Sequence, residues 1–155
     1  MKLTKILILD FLAQHKLMTV ATYGKHPWIA PVYYAFDKDL NLYFLSNPKT
    51  LHAAQIAKNK EVAVSIADSR QKLNDKKKGL QIYGIAKQIS QVQKVRLALK
   101  LWKEVLNVTD PLFTYENMAK KILQGRMYKI VPKRIKFFNQ ELFPVDDGME
   151  PVLEL

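Results

Sequence analysis

The chain has 155 residues, no cysteine, and 25 lysines and arginines against 14 aspartates and glutamates, a net charge of +11. That length fits one domain with a single core, and 48% apolar with 25% charged residues excludes a disordered or collagen-like chain. Lack of cysteine excludes a disulfide scaffold, a thiolate metal site and a cysteine nucleophile, and no apolar run reaches the roughly 18 residues of a membrane span.

Thr4 to His15 reads as a helix with an apolar stripe through Ile6, Leu7, Leu9, Phe11 and Leu12. Lys5 and Asp10 interrupt the run and no small-residue cleavage site follows, so the segment is a poor signal peptide and the expected location is the cytoplasm. Leu17 to Tyr23 is β-branched and aromatic and reads as a strand ending at Gly24. Pro27 to Phe36 is a second strand, Asp37 to Asn41 a hairpin turn, and Leu42 to Leu45 the returning strand. Asn47-Pro48 reads as a helix start, with Asn47 capping and Pro48 in the first helical position, and the helix runs to about Asn59. Val62 to Ile66 is an apolar strand expected to be buried on both faces.

Asp68 to Gly79 is polar and reads as a loop. Leu80 to Ile89 is a strand whose Gly84 suggests a bulge or a close backbone approach. Gln91 to Leu106 is a helix with Val92, Val95, Leu99, Trp102 and Leu106 on one face. Tyr115 to Leu123 is a short helix before Gly125; Met127 to Val131 is a strand that Arg134 to Phe138 continues beyond Pro132. From Asn139 the tail is expected to be irregular. After Lys136 it has no basic residue but five acids, Glu141, Asp146, Asp147, Glu150 and Glu154. About six strands, arranged mostly as hairpins and without a regular βαβ series, favour an α+β, mainly β architecture: an antiparallel barrel with peripheral helices.

Much familiar chemistry is missing. The five glycines are not spaced as a dinucleotide or Walker loop, and no G-x-S-x-G elbow occurs. His15, His26 and His52 fall in different elements, so no metal site is expected. The acids form no catalytic pair, so any redox or transfer chemistry calls for a cofactor. The basic body expects an anionic partner. Nucleic acid is not the expected one, because Lys76–Lys78 has no interleaved aromatic to stack bases, and Lys94, Arg96, Lys100 and Lys103 read as the solvated side of a helix packed on the barrel.

The most informative segment follows Asn47. Helix starts favour acids, yet here stand Pro48, Lys49, Thr50, Leu51 and His52. Free backbone N–H groups, an ammonium, a hydroxyl and an imidazole suit an anion such as phosphate. The strand Trp28 to Phe36, with Leu45-Ser46 ending its neighbour, offers an aromatic and aliphatic wall along which a ring system could lie.

Pro27 to Tyr34, Leu42 to Ser46, Lys49-Thr50-Leu51-His52 with Gln55-Ile56, Glu61 to Ile66, Gln81 to Ala86 and Pro132 to Asn139 together resemble the pyridoxamine 5'-phosphate oxidase-like family, the FMN-binding split barrels. The likeness covers about residues 10–90 and 126–140. It implies a split-barrel domain over residues 1–140, followed by the acidic tail 141–155. The family's phosphate clamp falls on Thr50, Leu51 and His52, with Lys49 just before; the flavin would pass Pro31, Val32, Tyr33, Leu45 and Ser46. Gln81 stands where the family's second subunit offers a glutamine, and Phe138 replaces a flavin-side tryptophan. The clamp's arginine and lysine are here Leu51 and His52, and the C-terminal Arg-x-His that takes the pyridoxal substrate is missing, so pyridoxamine phosphate oxidation itself is not expected. The resemblance implies a homodimer with FMN at its interface, acting as an oxidoreductase on a small molecule. Deazaflavin or haem are the alternative ligands, and a non-enzymatic binder or sensor on the same fold is the alternative function.

Overall fold

The computed structural model describes residues 1–155. Seven strands run β1 (Leu17–Tyr23), β2 (Pro27–Phe36), β3 (Leu42–Ser46), β4 (Glu61–Ala67), β5 (Lys78–Gln88), β6 (Arg126–Asn139) and β7 (Val152–Glu154). Four helices join or cap them: α1 (Lys5–Ala13), α2 (Leu51–Lys58), α3 (Val92–Leu106) and α4 (Tyr115–Ala119). The sheet order is β3-β2-β1-β4-β5-β6-β7, every pairing is antiparallel, and β3 also pairs with β6. That last pairing closes a six-stranded barrel, leaving β7 as an extra strand. No helix is long and apolar enough to cross a membrane.

Alternation does most of the folding work. Along β4, Val62, Val64 and Ile66 point into the core while Ala63 and Ser65 point out. β4 is therefore buried on one face only, because a barrel wall has a single inner side. The inner side chains of β1 to β6 form the main core, and α1 plugs it with Ile8, Phe11 and Leu12. Phe11 meets Phe137 edge-on at 5.2 Å. The Tyr34 hydroxyl, fully buried, donates to the Leu12 carbonyl at 2.8 Å, tying β2 to the end of α1. Burial raises the Tyr34 phenol well above its ordinary pKa. A second core lies outside the barrel, where Val95, Leu99 and Trp102 of α3 pack on Ala35 and Met127. Thus α3 packs by its apolar face, as its periodicity suggests, and its lysines are solvated.

The bulge at Gly84 is real. The β5–β6 register shifts between Tyr83 and Gly84, and a Cβ at Gly84 would stand 2.9 Å from the Val131 carbonyl oxygen. The tail, by contrast, is not irregular throughout. β7 pairs residues Val152–Glu154 with Arg134–Lys136. Because β3 covers β6 only from Arg126 to Ile130, the far part of that edge is free, and the tail satisfies it. Charge guides the docking: Glu154 pairs with Arg134 at 2.6 Å, Glu150 with Lys136 at 2.9 Å, and Glu141 with Lys78.

Candidate functional site

The helix after β3 starts later than the Asn47-Pro48 signal suggests. Asn47 Oδ1 instead accepts from the Lys49 N–H at 2.9 Å, and the Thr50 N–H donates to the Asn47 carbonyl at 3.1 Å. This makes a turn with Pro48 in its second position, where a fixed φ is favoured. Thr50, extended at φ −68° and ψ 153°, is the cap of α2, and its hydroxyl accepts from the Ala53 N–H at 3.4 Å. Lys49 thus lies outside the helix, exposed and without an ion pair.

A polar corner forms here. Ser46 Oγ, at the end of β3, lies 2.6 Å from His52 Nε2, and Thr50 Oγ1 lies 3.3 Å from the same nitrogen. Thr50 donates its own proton to the Asn47 carbonyl at 2.8 Å, so a Thr50–His52 bond needs the proton on Nε2. In that tautomer, assigned from this network, Ser46 accepts from His52 and keeps its hydroxyl hydrogen for a ligand. The Leu51 and His52 N–H groups, in the first turn of α2, have no acceptor within the helix. The free donors are therefore the Ser46 hydroxyl and the backbone N–H groups at the start of α2, with Lys49 just before the cap in the chain, a donor set that fits a phosphate.

α2 is pinned in place from the other side. Buried Gln55 accepts from the Thr22 hydroxyl at 2.6 Å and donates to the His26 carbonyl at 3.1 Å, tying the helix to the β1–β2 hairpin. His52 is itself buried, and desolvation holds its pKa below the ordinary histidine value. Protonating it in the fold is thus unfavourable: its contribution to stability is complete above about pH 6.5, the unfolded value, and is lost as the pH falls toward the lowered folded one. His15 is shifted the same way by burial, so the contribution of His52 is read by difference. The wild type should lose more thermal stability than His52→Gln between pH 7.5 and 5.5, measured by parallel melting curves.

The flavin-wall residues divide by face. Pro31 and Tyr33 project outward, whereas Val32 is turned toward the main core. Leu45 is half-buried and packs toward α3, its side chain 2.8 Å from where a Cβ on Gly125 would stand. The edge of β2 from Pro27 to Tyr33 is unpaired on the side of β3, since β3 binds only Tyr34 to Phe36. Around Ile29 the outer surface opens into a groove of about 510 Å³ whose floor includes Ala21 and Ala63. Gln81, Arg134 and Lys136 line its far side.

Gln81 and Phe138 do not join the corner. Ser46 pairs with Arg126 on β6, and Gln81 pairs with Lys136 on the same strand. Ten residues of strand separate those partners, roughly 33 Å at about 3.3 Å each. Phe138 stands over Gly79, where a Cβ would meet its ring at 2.1 Å, and with Gln81 and Lys136 it borders a cavity of about 260 Å³ closed by tail residues Asp147 and Glu150. Within one chain, Gln81 and Phe138 are therefore apart from the Ser46–His52 corner. Arg134 and Lys136 belong to the Pro132–Asn139 stretch, which by itself gives them no place in a site; the structure sets both on the groove. The signal lay in their spacing: two apart on a strand, they share one face.

Many solved structures share this fold, among them the following three. A conserved hypothetical protein from Mycobacterium tuberculosis aligns with a TM-score of 0.74 at 17% identity, over 93% of this chain and 89% of that one. A FAD-binding protein from Mesorhizobium loti aligns at 0.65 and 16%, over 86% and 90%. A heme binding protein from Mycobacterium smegmatis aligns at 0.70 and 13%, over 92% of this chain and 54% of that one. No curated protein matches. Residues 5–136 match the family described as pyridoxamine 5'-phosphate oxidase. With that match spanning most of the barrel, from α1 to the Arg134–Lys136 stretch of β6, the chain belongs to the pyridoxamine 5'-phosphate oxidase family.

Proposed function

We propose that the protein is a flavin-binding homodimer that holds FMN between two chains and serves as an oxidoreductase for a small molecule. The observation that carries this reading is the corner in which Ser46 Oγ and Thr50 Oγ1 lie 2.6 Å and 3.3 Å from His52 Nε2, with Lys49 preceding Thr50 in the chain. It is shaped for the phosphate of a ligand whose ring lies over Pro31 and Tyr33. Gln81 and Phe138 are too distant to touch the same ligand within one chain, so a second copy supplies them. The groove over Ala21, Ile29 and Ala63 is the surface that copy would cover, its small residues allowing close approach. Exposure of Ile29 at 64% and Tyr33 at 57% supports a partner there, since both are large and apolar in body.

Bound flavin would supply the hydride or electron exchange, for which the chain itself offers no catalytic carboxylate pair. The chain's own residues anchor the phosphate, present a flat wall and exclude water from one ring face. The FAD-binding relative supports a flavin. The heme binding relative supports a second reading, a haem carrier on the same barrel. Heat-denaturing the purified protein and identifying the released molecule by mass separates the two. Reduction of the bound flavin by NADH or NADPH then separates an enzyme from a storage protein. Ala63→Arg, placed in the middle of the groove, should convert the dimer to a monomer by light scattering and release the flavin with it. A dimeric Ala63→Arg protein with full flavin content would overturn the interface.

A further inference from the structure

On the side of the molecule facing α3, β5 and β6 set Lys87 directly opposite Lys129. Like charges opposed across an antiparallel ladder weaken the pairing. Lys94, in the first turn of α3, comes to the same place, and the three lysines border a cavity of about 230 Å³. No acidic residue lines it, and none of the three lysines has a carboxylate partner within 4.0 Å. Elsewhere on β5 and β6, Lys78 is paired with Glu141, Arg134 with Glu154 and Lys136 with Glu150. Here the repulsion is left standing.

The cavity is also apolar beneath its charged rim. Ile89 and Ala98 are buried in its floor, with Leu101 beside them. Leu97 stands at the mouth, 67% exposed in the middle of a helix. Lys129 Nζ lies 5.9 Å from the centre of the Tyr43 ring, whose hydroxyl is turned away to Asp37 at 2.9 Å. Tyr43 therefore presents ring, not hydroxyl, to the cavity. A volume of about 230 Å³ is below the usual range for drug-sized ligands. A head group with a short chain fits that space; a macrocycle does not.

We propose that this cavity binds a soluble amphipathic anion, with its carboxylate or phosphate among Lys87, Lys94 and Lys129 and a short alkyl chain laid on Ile89, Ala98 and Leu101 under Leu97. The bound charge relieves the Lys87–Lys129 opposition, and the chain covers apolar surface that water otherwise wets. This site is separate from the phosphate corner at α2 and stands or falls without it.

Octyl phosphate, kept below its micelle concentration, is the probe, and its binding is followed by calorimetry and by backbone amide shifts. One molecule should bind per chain at this site, at least tenfold more tightly than inorganic phosphate or octanol. The double variant Lys87→Gln, Lys129→Gln should weaken it at least tenfold, whereas Thr50→Ala should leave it unchanged. Without ligand, the double variant should melt no lower than the wild type, since it removes a repulsion between solvated side chains and fills no space. Equal affinity for inorganic phosphate, or unchanged octyl phosphate binding by the double variant, overturns the proposal. So does loss of binding in Thr50→Ala, which places the anion at α2 instead. Binding to vesicles of phosphatidylglycerol in phosphatidylcholine, with none to free octyl phosphate, also overturns it, because the site would then read a lipid surface.

Discussion

Exchanging Ser46 for alanine should lower affinity for FMN by about tenfold or more while changing riboflavin affinity by less than about threefold. Its hydroxyl accepts from His52 Nε2 at 2.6 Å and keeps its hydrogen for a phosphate. A hydrogen bond to a charged group contributes about 1.5–3 kcal/mol, and 1.4 kcal/mol is tenfold in affinity, so one lost contact sets that scale. Riboflavin lacks the phosphate and is the internal control. Thr50 acts differently: it caps α2, and losing a cap costs about 1 kcal/mol of stability. Thr50→Ser, which keeps both the cap and the hydroxyl, should therefore match the wild type in FMN binding and in melting temperature. Lys49→Ala should have a smaller, salt-dependent effect, because its exposed charge is screened. Flavin fluorescence titrations read all of these. Parallel losses for FMN and riboflavin would place the phosphate elsewhere.

Phe44→Ala is expected to produce the largest loss of stability. Phe44 is fully buried in β3, and its ring stacks on Tyr128 of β6 at 5.1 Å. It thus lies at the seam where β3 and β6 close the barrel. Truncating a buried phenylalanine costs about 3–5 kcal/mol from lost transfer energy and the cavity left behind. In a chain of this size each kcal/mol shifts the melting temperature by about 2–4 °C, so a fall of roughly 6–20 °C should appear in calorimetry. Ser46 follows two residues later on the same strand. The variant should accordingly loosen the phosphate corner and weaken flavin retention at temperatures where the barrel is still folded. A melting temperature within 2 °C of the wild type would show that the seam repacks.

Local chemistry was enough to read most of the elements. The β-branched runs of β1 and β2, the turn at Asp37 to Asn41 and the stripe of α3 each carry their own period or breaker, and each forms where that pattern places it. The order of those pieces also pointed to the split barrel. Gly84 announced its bulge, because only a residue without a side chain tolerates the Val131 carbonyl at that distance. The start of α2 was misplaced for a physical reason: Asn47 and Thr50 are both good caps, and the choice between them depends on where β3 ends. The apolar composition of β4 likewise could not say that one of its faces stays open, since that depends on the barrel having an inside.

What the sequence determined by itself was the set of strands and helices, the excess of positive charge, and the unusual acid-free start of α2. These follow from spacing and side-chain type over a few residues. Tertiary structure alone decided the rest. It parted Gln81 and Phe138 from the corner of Ser46 and His52 by the length of β6, and set Lys87 against Lys129. It also turned the acidic tail into an edge strand against Arg134 and Lys136. Each of these depends on strand register and barrel closure, which are settled by contacts between residues distant in the chain and so leave no local mark.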